Sequence, residues 1–130
     1  MIEILQKIPF FASLPKADLA AIATTVQMEY YPANHTLFNQ GDTGQLMYII
    51  KRGKVAVERN GVAIADLKDN DFFGEMALVS DEPRNATIRT LSEIELLTLQ
   101  KKDFQHLLST NPAIASTVSY EVVKRANQND

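Results

Sequence analysis

The sequence predicts an α+β fold that is mainly β, a small barrel or sandwich of short strands with helices before and after it. Two observations carry that reading. Between residues 26 and 99 the apolar, β-branched and aromatic residues come in short, mostly alternating runs, parted by turn residues at near-regular spacing, as in a small all-β body. Towards both ends of the chain the apolar residues instead recur every three or four positions, the helical period.

At the N-terminus "IEILQKI" is amphipathic but brief. "PKADLAAIATTV" follows, with Pro15 early in a helix, where its missing N–H does no harm. Leu19, Ile22, Ala23 and Val26 then fall on one apolar stripe. Seven strand runs come next: "VQMEYY", "HTLF", "LMYIIK", "KVAVER", "VAIADL", "NATIRT" and "EIELLTL". Pro32-Ala33-Asn34, Gly41-Asp42, Arg52-Gly53, Asn60-Gly61 and "KDND" at 68–71 mark turns between them. Asn60-Gly61 is the strongest hairpin signal, because both central residues of a tight primed turn need positive φ. After Leu99 the helical period returns, and "KKDFQHLLST" places Phe104, Leu107 and Leu108 on one face. Asn111-Pro112 then breaks the chain and restarts it as N-cap and first helical residue. In "PAIASTVSYEVVKRAN" Ile114, Val118 and Val122 lie four apart, a stripe that serves either barrel packing or the pairing of two copies. The expected organisation is one domain over 1–130, with helices in 1–27, a β body in 28–100 and helices in 101–127.

Composition narrows the function. The apolar fraction of 45% supports a real core. No cysteine is present, which removes disulfide and thiolate chemistry and makes the cytoplasm the expected setting. The formal charge of −3 is mixed in sign along the chain, without the Lys/Arg stripe that would neutralise a nucleic-acid backbone. No apolar run approaches the ~18 residues of a membrane span, and "MIEILQKIPFF" lacks the basic-then-apolar order of a signal peptide. His35 and His106 fall on different predicted elements, which argues against a metal site.

The chemistry concentrates in "FFGEMALVSDEPRNAT", residues 72–87, an apolar stretch that nonetheless carries Glu75 and Arg84. "GEMAL" is too short for an ordinary helix, but one helical turn would leave several N–H groups aimed the same way, a ready anion site. Gly74 lets a ligand approach the backbone. Glu75 shares an anion's sign and is suited to accept from hydroxyls, whereas Arg84 supplies the charged planar fork that matches a phosphate. The set describes a sugar phosphate. Spacing alone equally permits a plain Glu75–Arg84 salt bridge with Gly74 as a turn glycine.

"FGEMAL" followed by "EPRNAT" resembles the phosphate-binding cassette of the cyclic-nucleotide-binding domains, a family that includes the catabolite activator protein, the regulatory subunits of cyclic-AMP-dependent protein kinase and cyclic-nucleotide-gated channels. The family form is close to F-G-E-x-A-L, a variable stretch, then P-R-x-A-T, and every fixed position is present between Phe73 and Thr87. "FNQGDTGQLMYIIKRGKVAV" and "PFFASLPKADLAAIA" are similar to further family segments, so the likeness covers roughly residues 8 to 126. It implies an eight-stranded jelly-roll-like β-roll with N-terminal helices, a short cassette helix and two C-terminal helices. It also implies roles. Glu75 would accept from the ribose 2′-hydroxyl and Arg84 would pair with the phosphate. The N–H groups from Gly74 through Met76 to Ala77, and that of Asn85, would complete the cradle. Leu78 would be the hinge that reports occupancy to the following helices. Asn85 departs from the Ala or Ser common in cyclic-AMP (cAMP) binders and from the Thr of channels that respond to cyclic GMP (cGMP). With that Thr absent, cAMP is favoured and cGMP stays open. Candidate base contacts are Val62, Ile64, Val122, Val123 and Arg125, the last by stacking on the purine.

No enzyme constellation is found: Glu75 and Arg84 form a binding pair without a nucleophile, and the aspartates lie in turns, where they are expected. The expected role is a regulatory sensor acting through an effector domain or partner protein outside this chain. Two rival readings fit the sequence less well. A degenerate, non-binding scaffold sits badly with the retention of both Glu75 and Arg84, because a polar pair in an apolar pocket costs stability unless something satisfies it. A cupin-like barrel enzyme would need clustered histidines.

Overall fold

The computed structural model describes residues 1–9 and 11–116 of the 130-residue chain. Its element order is α1 (Ile2–Leu5), α2 (Lys16–Ala23), β1 (Gln27–Tyr31), β2 (Thr36–Phe38), β3 (Leu46–Arg52), β4 (Lys54–Arg59), β5 (Val62–Lys68), β6 (Phe72–Phe73), a 3₁₀ turn (Glu75–Leu78), β7 (Thr87–Thr90), β8 (Ile94–Gln100) and α3 (Lys101–Thr110). Residues 112–116 are helical again after the Asn111-Pro112 break, and Asn111 offers its carbonyl to the N–H groups of Ile114 and Ala115.

The eight strands form two four-stranded antiparallel sheets in the orders β1-β8-β3-β6 and β2-β7-β4-β5. That is a jelly-roll arrangement, with consecutive strands mostly placed in opposite sheets. β4 and β5 are joined directly through Asn60 and Gly61, whose φ angles of 54° and 78° make the primed turn read from the sequence.

β3 and β8 form the wall between two cores, because alternate side chains point to opposite faces of a strand. Tyr48 and Ile50 of β3, with Ile94 and Leu96 of β8, face the barrel interior and pack with Val55, Phe73 and Ile88. Met47 and Ile49, with Leu97 and Leu99, face the other way and pack under the helices against Leu5, Leu19, Ile22, Leu78, Phe104 and Ile114. A strand buried on both faces reads as a continuous apolar run, as "LMYII" does, and "IELLTL" departs from it only at Glu95 and Thr98.

The eighth strand is Phe72–Phe73, which pairs with Ile49 and Tyr48 and is too short for any periodicity to reveal. The N-terminal helices are shorter than expected. α1 stops at Leu5, three residues before Ile8, whose conformation Pro9 biases away from the helical region. α2 begins at Lys16 with Pro15 as its N-cap. β7 starts at Thr87 rather than Asn85.

A register shift in the β4–β5 hairpin shapes the barrel mouth. Val57 pairs with Ala65, but Glu58 pairs with Ala63, which leaves Ile64 as an extra residue on β5, a β-bulge. Beyond it Val62 faces Arg59, and the alternation of β4 puts Arg59 on the same face as Val57. Val62 and Ile64 are exposed, at 62% and 49%.

Phe104 is fully buried, with its ring 5.7 Å from that of Phe11, and anchors α3 under the sheet. Phe104→Ala is expected to lower unfolding stability by about 3–5 kcal/mol through the lost transfer energy and the cavity left behind. Urea unfolding followed by circular dichroism checks this, and a loss below ~1 kcal/mol would mean that α3 is not anchored there.

Candidate functional site

The site is assembled from three segments: the turn after β6, the strand-entry residues 84–87 and the loop from Asn39 to Gln45. Gly74 takes φ 77° and reverses the chain into the 3₁₀ turn, a conformation glycine adopts without penalty. Glu75 follows and is 8% exposed. Met76 leans toward the helix-side core, and Ala77 and Leu78 are buried. The Ala77 N–H donates to the Gly74 carbonyl at 3.1 Å, so it serves the turn itself in this structure.

Arg84 lies in the barrel interior. Its guanidinium carbon sits 4.1 Å from the Phe38 ring centroid and 6.0 Å from that of Tyr48, a cation–π seat. Nη2 donates to the Leu46 carbonyl at 2.7 Å, Nη1 donates to the Gly74 carbonyl at 3.4 Å, and buried Nε has no hydrogen-bond partner. Burial pushes the guanidinium below its usual range, opposed by Tyr48 and Asp42, while burial pushes the Tyr48 hydroxyl up. A half-buried charge with an unsatisfied buried donor and only carbonyls for acceptors carries a desolvation cost, and the arrangement is suited to an anion.

The loop from Asn39 to Gln45 clamps the Arg84 backbone on both sides. The Arg84 N–H donates to the Asp42 carbonyl at 2.7 Å, and the Gly41 N–H donates to the Arg84 carbonyl at 2.8 Å. The Gln40 N–H donates to the Thr87 hydroxyl at 2.8 Å, and the Asp42 carboxylate accepts from the Asn39 N–H. Asn85 is exposed at the rim, with its carbonyl accepting from Arg59 Nε at 3.0 Å.

The structure therefore brings Gly74, Glu75, Met76, Ala77, Arg84 and Asn85 together at one end of the barrel, with Val62 and Ile64 at the mouth and Leu78 beneath α3. Val122, Val123 and Arg125 lie outside the described residues. Sequence reasoning missed Gly44, Phe38 and the Leu46 carbonyl. A Cβ on Gly44 would run into Arg84 Nε and the guanidinium carbon, and one on Gly74 would come within 2.7 Å of Arg84 Nη1. The guanidinium thus fits between two glycines, one of which carries no signal in the sequence beyond being a glycine.

Elsewhere, a cleft of about 560 Å³ opens at the far end of β3, lined by Tyr30, Tyr31, Arg52, Glu93 and Glu95 among others, and holds none of the expected site residues. His35 stacks on Tyr31 at 4.7 Å. Among the described residues no three His, Asp or Glu side chains gather as a metal site, and no helix is long and apolar enough to cross a membrane.

Comparison with known proteins places the chain in a family. Residues 28–111, more than half of the chain, match the family model described as the cyclic nucleotide-binding domain. The chain belongs to that family. Its relatives include the cAMP-dependent protein kinase regulatory subunit of Eremothecium gossypii, 37% identical over 107 residues, which cover 82% of this chain but only 23% of the relative. Among solved structures, the N-terminal domain of a transcriptional regulator from Streptomyces coelicolor superposes with a TM-score of 0.86 at 28% identity, covering 98% of this chain and 94% of that one. The regulatory domain of Toxoplasma gondii PKA, solved with cAMP, superposes with a TM-score of 0.76 at 28% identity, over 82% of this chain and 42% of that one.

Gly44→Ala tests the packing of Arg84. The clash is with a side chain rather than backbone, so the fold should survive with a melting temperature lowered by only a few degrees. Arg84 should be displaced, and affinity for a phosphate-bearing ligand should fall about 100-fold, the worth of one or two charge-assisted hydrogen bonds. Unchanged affinity in the folded variant would show that the seat is not needed.

Proposed function

We propose that this chain is a regulatory module that binds a cyclic nucleotide, cAMP in preference to cGMP, and passes occupancy to its C-terminal helices. The observation that carries the reading is Arg84: a half-buried guanidinium whose buried Nε has no hydrogen-bond partner, held between two glycines inside the segment that matches the family model. Its present acceptors, the carbonyls of Leu46 and Gly74, are neutral. A cyclic phosphate would be a charged, bidentate replacement. Glu75, buried at the same turn, would accept from the ribose 2′-hydroxyl. N–H groups of the Gly74–Ala77 turn and of Asn85 would complete the cradle. Val62 and Ile64 would offer apolar surface to the base, and Asn85 lacks the Thr hydroxyl associated with cGMP. This is binding chemistry, and no catalytic role is assigned.

The route to the helices runs through two residues. Leu78 is fully buried in the helix-side core with Phe104, Leu107 and Leu108 around it. Lys101, at the start of α3 and 8% exposed, donates from Nζ to the Ser80 carbonyl at 3.2 Å and to the Asp81 carboxylate, and its N–H donates to the Gln45 carbonyl. Ser80 and Asp81 follow the cassette turn after Val79, so Lys101 ties its exit to α3. Any shift of the turn on binding would pull on both contacts, and a ligand can bias the helices only by its differential affinity for the two arrangements. An effector domain or partner protein would read that change.

Calorimetric titration of nucleotide-free protein should give micromolar or tighter binding of cAMP, weaker binding of cGMP, and a loss of about 100-fold in Arg84→Ala. No heat with either nucleotide from well-folded protein would move the reading to a scaffold. Coupling is tested by hydrogen exchange of α3 with and without cAMP: the ligand-induced change seen in wild type should shrink in Leu78→Ala and in Lys101→Met, and a change of equal size in both variants would refute the route.

A further inference from the structure

Arg59 ends β4 at the barrel rim, on the same face as Val55 and Val57, which pack with the interior core. Across the hairpin it faces Val62, and the extra residue Ile64 keeps Val62 on that face. Its Nε donates to the Asn85 carbonyl at 3.0 Å, which fastens the guanidinium to the residue next to Arg84. Among the described residues its two Nη groups make no hydrogen bond or ion pair. The chain therefore presents two guanidiniums to one mouth, one half-buried and one at the rim, with exposed apolar side chains beside the second.

We propose that Arg59 reads the O6–N7 edge of the purine and so sets how strongly a cyclic guanine nucleotide competes with an adenine one at this site. The proposal rests on the nucleotide reading above and adds a specificity residue to it. The chemistry is directional. Guanine offers two adjacent acceptors, O6 and N7, which match two parallel N–H donors of an arginine fork, whereas adenine sets its N6 amino donor beside N7, so the same fork meets one acceptor and one donor. Anchoring through Nε leaves the two Nη groups as the outward pair and fixes their direction before a ligand arrives, which lowers the ordering cost of the contact. A base lying on Val62 and Ile64 would turn an edge toward this fork. Asn85 thus contributes through its carbonyl, by holding Arg59, as well as through its side chain.

The test is calorimetric titration of cAMP, cGMP and 3′,5′-cyclic IMP into wild type, Arg59→Gln and Arg59→Lys, with melting temperatures to confirm folding. Cyclic IMP shares the O6–N7 edge of guanine but lacks its 2-amino group. In both variants cGMP and cyclic IMP should lose about tenfold more affinity than cAMP, within the discrimination a bidentate arginine contact provides. Lysine keeps the charge and loses the fork, so recovery in Arg59→Lys would overturn the proposal in favour of simple attraction. Equal losses for all three nucleotides, no loss, or a loss confined to cGMP would overturn it as well. Wild type that binds none of the three would instead sink the nucleotide reading and this inference with it, so the two failures are told apart.

Discussion

Arg84 carries a permanent positive charge into the inside of a β-barrel, and much of the surrounding architecture follows from keeping it there. Phe38 lies against the guanidinium, Gly44 and Gly74 make room for it, and the loop from Asn39 to Gln45 grips its backbone from both sides. Those contacts fix position without neutralising the charge. A hydrophobic side chain of the same length would rest in that seat at lower desolvation cost, so the arginine is poorly explained as a stabilising element.

The wall formed by β3 and β8 separates that charge from the helical layer by a single sheet. One strand contributes Tyr48 to the side where the guanidinium lies and Met47 and Ile49 to the side where Leu78 meets α3. Packed cores deform little, and they transmit displacement because no slack exists to absorb it. Leu46 closes the connection: its carbonyl holds Arg84, and the residue before it holds the N–H of Lys101. The binding end and the helical layer are therefore neighbours across a single strand entry.

How much of this was legible depended on whether side chains or backbone carried the role. The β3 and β8 runs were legible because burial on two faces leaves a nearly unbroken apolar signature, the other strand runs through their alternation and flanking turn residues, and the Asn60-Gly61 turn because positive φ leaves few residue choices. Gly74, Glu75 and Arg84 could be named as candidates because the chemistry proposed for them lies in side-chain identity or its absence, within fifteen residues of one another. The Leu46 carbonyl was not, since any residue supplies a carbonyl. Gly44 was hidden because its necessity comes from a side chain forty residues away. Phe72–Phe73 became a strand through a tertiary pairing that no local pattern encodes, and the shortening of α1 shows a proline overriding an amphipathic run.

The bulge at Ile64 reaches beyond recognition. β5 is the edge of its sheet, and an edge strand with exposed apolar residues is a template onto which another chain adds. The extra residue interrupts the regular row of donors and acceptors, and Lys68 at the strand's end adds a charge that an incoming strand would have to accommodate. The barrel can thus leave Val62 and Ile64 open to solvent while resisting edge-to-edge assembly. The irregularity that shapes the mouth also makes this edge a poorer template for a second chain.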